Sequence, residues 1–273
     1  MSVIEQMLAR YPAPEREHAL REVMQEIALA GLQRGGFFDK AAFYGGTCLR
    51  IFHGLPRFSE DLDFSLLTPD RDFTLEPYFS AMRGEFAAFG FDVTIAAHQK
   101  SDDSAIVSAF VKNGTSIYSV QVRGQRMLKI KFEVDTDPPA GVATEERLLV
   151  QPYSFYAKCY ALPDLHAGKM HALLFRKWKN RVKGRDWFDF EWYARNAIPL
   201  NLTHLEQRAR QSGDWVGPTL GKAEFQRLLQ QRIDSLEIDQ ARADVRPFLR
   251  NASALDIWSP RYFRDLSERV VYA

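Results

Sequence analysis

The sequence has little cysteine, almost no net charge and no long apolar run. The two cysteines among 273 residues, Cys48 and Cys159, form no CxxC pair, which argues against a disulfide-rich secreted domain and favours the cytoplasm. Thirty-six basic and 35 acidic residues leave a net charge of +1, so any nucleic-acid contact must come from a local cluster. No run of about 18 uncharged apolar residues occurs and the N-terminal segment is polar, so neither a membrane span nor a signal peptide is expected.

What is present is an ordinary globular composition, 46% hydrophobic and 26% charged, whose pattern changes along the chain. Strand-like and helical segments alternate in the first half, and helical spacing takes over from about residue 152. We therefore predict an α+β fold of two domains. Residues 1–145 are expected to form a mixed domain with a small mixed sheet, and residues 146–273 an all-helical domain.

The pattern also predicts the individual elements. Strands are expected over 41–46, 59–67, 91–98, 104–114 and 126–139. Helices are expected over 14–34, 47–54, 75–90, 152–181 and 184–196, with shorter helical segments to the C-terminus. The elements around residue 50 therefore follow the order strand, Gly-Gly turn, helix, strand.

The segment FYGGTCLRIFHGLPRFSEDLDF, residues 43–64, carries two carboxylates at its end. Asp61 and Asp63 are two residues apart, which on a strand points both side chains to one face and Leu62 and Phe64 to the other. Two neighbouring carboxylates repel each other unless a cation or a shared proton lies between them. Hard oxygen ligands suit Mg²⁺, which usually takes further ligands from substrate phosphates.

The start of the same segment has the residues that a phosphate site needs. Gly45 and Gly46 let the backbone approach a phosphate, and the helix expected to begin at Thr47 offers unpaired N–H groups and a threonine hydroxyl. Arg57 and Ser59, which lead into the aspartates, are suited to binding a phosphate or to fixing the carboxylates. Together these residues indicate a nucleotide-binding site.

A two-metal phosphoryl or nucleotidyl transfer usually needs a third carboxylate on a neighbouring strand. The segment RMLKIKFEVD places Lys129, Lys131, Glu133 and Asp135 on one face of a predicted strand. Glu133, in the middle, is the first candidate for the third metal ligand, and Asp135 is the alternative. Lys131 would lie beside Glu133 and is a candidate phosphate ligand.

These motifs resemble those of the AbiEii/MenT-type nucleotidyltransferase toxins, within the DNA polymerase β-like nucleotidyltransferase superfamily. The turn at 45–47 and the Arg-x-Ser-x-Asp-x-Asp pattern at 57–63 match the family's first motif, and KFEV at 131–134 resembles its strand motif. Residues 168–190, GKMHALLFRKWKNRVKGRDWFDF, resemble its later helix and Arg-Asp motifs. The matching residues in that segment are Lys169, Arg176, Arg185, Asp186 and Asp189.

The resemblance implies an activity and its partners. A polymerase β-like domain with two Mg²⁺ ions would transfer a nucleotide from an NTP to RNA, commonly the 3′ end of tRNA, and so block translation until a cognate antitoxin intervenes. Lys169 would contact the NTP phosphates, and Asp186 would orient that lysine or the base. The helical domain would complete the nucleotide site.

Two other functions are compatible with the same motifs. A protein-directed transferase would use the same three carboxylates to place a nucleotide on a hydroxyl side chain. A non-catalytic NTP- or RNA-binding module would keep the fold without turnover, although the presence of all three carboxylates disfavours it.

A basic run lies between the two later motifs. Residues 176–185 contain six basic side chains around Trp178, a composition that suits RNA phosphates and a stacked base. A solvated helix end has the same composition, since basic residues there complement the helix dipole. The candidate RNA-binding residues are Arg176, Lys177, Lys179, Arg181 and Lys183.

Overall fold

The structure, a computed structural model, describes residues 3–98, 115–123, 128–176 and 182–273. The chain divides into two compact units. The first comprises Met1–Gly54, Phe58–Pro138 and Thr144–Cys159. The second comprises Leu55–Arg57, Pro139–Ala143 and Tyr160–Ala273.

The elements alternate in the first unit and are helical in most of the second. The strands are β1 Ala41–Tyr44, β2 Leu62–Leu66, β3 Asp92–His98, β4 Thr115–Arg123, β5 Leu128–Asp135, β6 Thr144–Leu149 and β7 Phe155–Tyr160. The helices are α1 Val3–Leu8, α2 Arg16–Arg34, α3 Gly45–His53, α4 Phe79–Ala88, α5 Leu162–Phe175, α6 Gly184–Arg195, α7 Leu202–Gln211, α8 Lys222–Asp234, α9 Ile238–Val245 and α10 Pro260–Ser267. Within the described ranges, no helix is long and apolar enough to cross a membrane.

The strands form one mixed sheet in the order β3-β4-β5-β2-β1-β7-β6. At its centre, β2 pairs antiparallel with β1 and parallel with β5. The parallel pair has one apolar face, where Leu62 and Phe64 lie beside Phe132 and Val134, all fully buried. The alternating pattern of both strands therefore turns their polar residues to the opposite face.

Helix α2 forms much of the core of the first unit. Its side chains Val23, Ile27 and Leu29 are fully buried. Gly31 brings α2 close to α4, because a Cβ atom at Gly31 would lie only 2.8 Å from the Cα of Met82. Gly31 therefore allows α2 and α4 to pack closely against each other.

Helix α6 supplies the aromatic core of the second unit. The ring of Trp187 packs against Phe263 of α10 with centroids 4.9 Å apart. The buried carboxylate of Glu191 accepts hydrogen bonds from Trp258 Nε1 at 2.7 Å and from the Tyr262 hydroxyl at 2.9 Å. A buried carboxylate with two such donors is well satisfied.

The predicted α+β class is confirmed, with strands and helices close to the expected positions around the motifs. The expectation that extended structure ends near residue 152 is wrong, because 155–160 form β7. Phe155, Ala157 and Cys159 are buried on alternate positions there, a period-2 pattern. The strands β4 and β6 were not predicted either. The strand expected over 104–114 lies outside the described residues.

Candidate active site

The pairing of β2 with β5 brings two of the predicted carboxylates together. Asp63 lies directly beside Glu133 in the parallel register, and Ser65 lies beside Asp135. Both Asp63 and Glu133 are half-exposed, on the face opposite the apolar core. The Asp135 carboxylate instead accepts a hydrogen bond from the main-chain N–H of Asp137 at 3.1 Å. Glu133 is therefore the neighbour of Asp63.

Gly45 joins the phosphate-binding turn to this carboxylate pair. Its φ of 81° lies in the left-handed region that favours glycine. A Cβ atom at Gly45 would also collide with the Asp63 carboxylate. The first turn of α3 therefore begins directly against Asp63, at Gly45 and not at Thr47 as predicted. The N-cap residue is Tyr44, in an extended conformation, rather than a side chain that typically caps the first N–H groups.

Thr47 has a different contact from the one that the sequence indicated. Its side chain is fully buried, and its hydroxyl donates a hydrogen bond to the main-chain carbonyl of Asp61. A threonine hydroxyl has one proton to donate. This hydroxyl therefore fixes the backbone at Asp61 instead of adding a side-chain donor for phosphate.

Lys131 places a positive charge beside the carboxylates of Asp61, Asp63 and Glu133. Its ammonium group pairs with Glu133, the residue two positions along β5. Partial burial lowers the pKa of Lys131, but Glu133, Asp61 and Asp63 together raise it above the usual lysine value. All three carboxylates thus act on one positive charge, and carboxylate oxygens are ligands that Mg²⁺ takes. As placed, however, the described side chains contain no group of three or more His, Cys, Asp or Glu residues ready to hold a metal ion.

Ser59 and Arg57 belong to different units. Ser59, in the first unit, is half-exposed. Arg57, in the second, is 2% exposed and forms a bidentate pair with Asp189, with both N–O distances 2.6 Å. The Arg57 guanidinium therefore has a buried carboxylate partner that spacing alone did not indicate.

Lys169, Asp186 and Asp189 form a buried ion-pair network in the second unit. Lys169 Nζ lies 2.8 Å from Asp186 Oδ1 and 2.7 Å from Asp189 Oδ2. The side chains of Asp186 and Asp189 are only 4% and 0% exposed. Arg57 completes the network at Asp189, and Arg176 approaches Asp186 at 3.9 Å. All five of these residues match motif positions of the resemblance.

The charges of this network act on each other strongly. Burial would raise the pKa of Asp186, but Lys169, Lys183 and Arg176 hold it well below its ordinary value. Burial lowers the pKa of Lys169, whereas Asp186 and Asp189 raise it above normal. Asp186 is therefore ionised and Lys169 protonated near neutral pH.

The basic run is only partly described. Lys177, Lys179 and Arg181 lie outside the described residues. Burial lowers the pKa of Lys183 to about 8, although Asp186 opposes the shift. The guanidinium of Arg185 lies 4.2 Å from the centroid of the Phe248 ring, so cation–π packing holds this side chain.

One residue near the carboxylates escaped the sequence analysis altogether. Gln25 of α2 is 1% exposed and donates hydrogen bonds to the backbone just before Asp61. Its only signal in the sequence is a polar residue among the apolar positions of a helix. Such a signal is weak, because helix faces often carry glutamine.

Comparisons with known proteins identify a family and a fold for this chain. The family model described as "Nucleotidyl transferase AbiEii toxin, Type IV TA system" matches residues 27–269. No curated protein matches the sequence. JHP933 from Helicobacter pylori is similar in structure, with a TM-score of 0.55, 16% identity, and coverage of 92% of this chain and 90% of that one. MenT4, a nucleotidyltransferase toxin from Mycobacterium tuberculosis, has a TM-score of 0.55 and 15% identity over 98% of this chain and 88% of its own. At such identities, these two structures show a shared fold.

Proposed function

Because the chain belongs to the AbiEii family of nucleotidyltransferase toxins, we propose that it transfers a nucleotide from an NTP to the 3′ end of tRNA. Membership of this family identifies the protein as a nucleotidyltransferase of a toxin–antitoxin system. The tRNA acceptor, the dependence on Mg²⁺, the cytoplasmic location and the resulting block of translation are our proposal. A cognate antitoxin protein would relieve that block.

The observation that carries the proposal is the meeting of three segments at Asp63. Its carboxylate lies against Gly45 at the start of α3 and beside Glu133 in the sheet register. A helix start binds phosphate through its free N–H groups and its positive dipole end. Carboxylates beside a phosphate site suit a reaction in which a metal bridges protein and substrate oxygens.

Asp61, Asp63 and Glu133 would hold two Mg²⁺ ions. Such ions, when bound, lower the pKa of an attacking hydroxyl and stabilise the charge of the leaving pyrophosphate. Lys131 pairs with one carboxylate oxygen of Glu133, and an ionised carboxylate has further lone pairs to offer a metal ion. The Lys131 ammonium group, beside the metal ligands, could bind a phosphate oxygen.

The α3 start would bind the triphosphate through main-chain groups. Gly45 and Gly46 have no side chain to block a phosphate, and the helix dipole favours its charge. The attacking oxygen of the RNA would then displace pyrophosphate from the α-phosphorus. Ser59 and Arg57 are proposed to support nucleotide binding from the segment that leads into the aspartates.

In the second unit, we assign a nucleotide contact to Lys169, held by Asp186. The two carboxylates that flank Lys169 fix its position, so its charge is oriented before a ligand arrives. The basic run, with Arg176, Lys183 and the three basic residues between them outside the described ranges, is proposed to contact RNA phosphates.

Labelling of RNA tests this function. The purified protein is incubated with total tRNA, Mg²⁺ and each α-³²P-labelled NTP in turn, beside a partner protein as the alternative acceptor. We expect labelled tRNA from the wild type and none from Asp63→Ala. The control Asp239→Ala, which removes a carboxylate that is 96% exposed, should label tRNA like the wild type. Label on the protein alone, or equal labelling by Asp63→Ala, would contradict the proposal.

A further inference from the structure

The backbone before Asp63 is held by side chains from outside the sheet. The pairing of β2 with β5 runs from Leu62 to Ser65, so Asp61 and the residues before it precede the strand. Their carbonyl groups need other hydrogen-bond donors where they are buried. The Asp61 carbonyl receives its hydrogen bond from the Thr47 hydroxyl.

Gln25 supplies donors to the two carbonyls before that one. Its Nε2 donates to the Ser59 carbonyl at 3.2 Å and to the Glu60 carbonyl at 2.9 Å. A primary amide has two N–H donors, and both are used here on consecutive residues. Three successive carbonyls, at 59, 60 and 61, are thus fixed by two buried side chains.

The side chain that starts this segment is also fixed. The buried ring of Phe58 stacks on His18 of α2, with centroids 4.7 Å apart and planes 10° apart. The guanidinium of Arg50 lies 4.6 Å from the centroid of the same ring and pairs with Glu22 of α2 at 2.8 Å. Helix α2 therefore holds residues 58–60 by both side chain and backbone.

We propose that Gln25 is a positioning residue, which sets the place of the Asp61 carboxylate and so the affinity of the site for a divalent cation. This inference depends on the proposed function for its catalytic meaning. Gln25 lies before residues 27–269, the part of the chain that the family model matches. Groups that orient metal ligands commonly change metal affinity by about 10–100-fold when they are removed.

The variant Gln25→Met keeps a similar volume and removes both donors. The carbonyls of Ser59 and Glu60 would then lose these hydrogen bonds, and the segment would shift to regain donors. We expect the Mg²⁺ concentration for half-maximal transfer to rise about tenfold, with the KM for NTP at saturating Mg²⁺ unchanged. Gln33→Met, at an exposed position of the same helix, is the matched control.

Binding of Mn²⁺, followed by electron paramagnetic resonance without NTP, separates this inference from the proposed function. We expect about tenfold weaker Mn²⁺ binding by Gln25→Met than by the wild type and by Gln33→Met. If no acceptor is labelled but this difference persists, the proposed function fails and the inference stands. Equal Mn²⁺ affinity in all three proteins would overturn it, even if the wild type transfers nucleotides.

A second substitution covers the case in which Gln25→Met does not fold. Gln25→Asn keeps the amide but is one methylene shorter, so it cannot reach both carbonyls. Thermal unfolding identifies the variants that are folded. A folded Gln25→Asn with weaker Mn²⁺ binding supports the role of Gln25, and one with wild-type binding contradicts it.

Discussion

At the residue scale, Gly45 combines two requirements that only glycine meets. Its positive φ disfavours every side chain, and its Cα lies against the Asp63 carboxylate. Gly54, at the other end of α3, also has a positive φ of 72°, but a Cβ there would meet nothing within 4 Å. Both glycines therefore meet the requirement for a positive φ, but only Gly45 also lies against Asp63.

We expect Gly45→Ala to abolish nucleotide transfer and Gly54→Ala to preserve it. Each substitution places alanine in the left-handed region, at a cost of about 1–2 kcal/mol. Only Gly45→Ala also displaces the Asp63 carboxylate. Transfer rates and urea unfolding of both variants provide the test. Similar activity in two variants that are destabilised to the same degree would show that the contact with Asp63 does not matter.

Single residues also show where sequence reasoning reaches its limit. The spacing of Asp61 and Asp63 was informative because two carboxylates so close need a cation. The contacts of Thr47 and Arg57 were not readable, because their partners are a carbonyl 14 residues away and a carboxylate 132 residues away. A sequence pattern can identify a hydrogen-bond donor, but only the tertiary structure shows which group accepts its hydrogen bond.

At the element scale, alternation predicted the strands that carry the carboxylates. The choice between Glu133 and Asp135 needed the register of β2 against β5, since both residues lie on the same face of one strand. Strand β6, TEERLL, has too few apolar residues to be recognised. Strand β7, FYAKCY, is short enough to resemble a helical segment. Short strands depend more on their neighbours in the sheet than on their own sequence.

At the scale of the whole molecule, buried histidines make stability depend on pH. Burial lowers the pKa of His53, His166, His171 and His204 to about 4 each. A histidine whose pKa is lower in the folded state stabilises the fold above its unfolded value of about 6.5, and this contribution is lost as the pH falls toward 4. Burial raises the pKa of Glu26 to about 7. This one group therefore has the opposite effect, and stabilises the fold as the pH falls.

We expect the free energy of unfolding to fall by several kcal/mol between pH 7 and pH 5. The contribution of His166 can be measured by itself. The centroid of its ring lies 4.2 Å from that of Tyr193, and its Nδ1 lies 3.1 Å from the Ile198 carbonyl oxygen. Phenylalanine at 166 keeps the stacking without the titration. The destabilisation caused by His166→Phe should therefore shrink by about 2 kcal/mol over this pH range. Urea unfolding at both pH values measures it, and an unchanged difference would exclude His166 as a source of acid sensitivity.

The central claim is that the register of β2 and β5 makes Glu133, and not Asp135, the partner of Asp63 in catalysis. The most direct test compares nucleotide transfer to tRNA by Glu133→Gln and Asp135→Asn, two variants that each neutralise one carboxylate of the same strand. We expect Glu133→Gln to lose more than the roughly 100-fold typical of outer-shell partners, and Asp135→Asn to stay within about threefold of the wild type. Full activity in Glu133→Gln, or loss confined to Asp135→Asn, would contradict the claim.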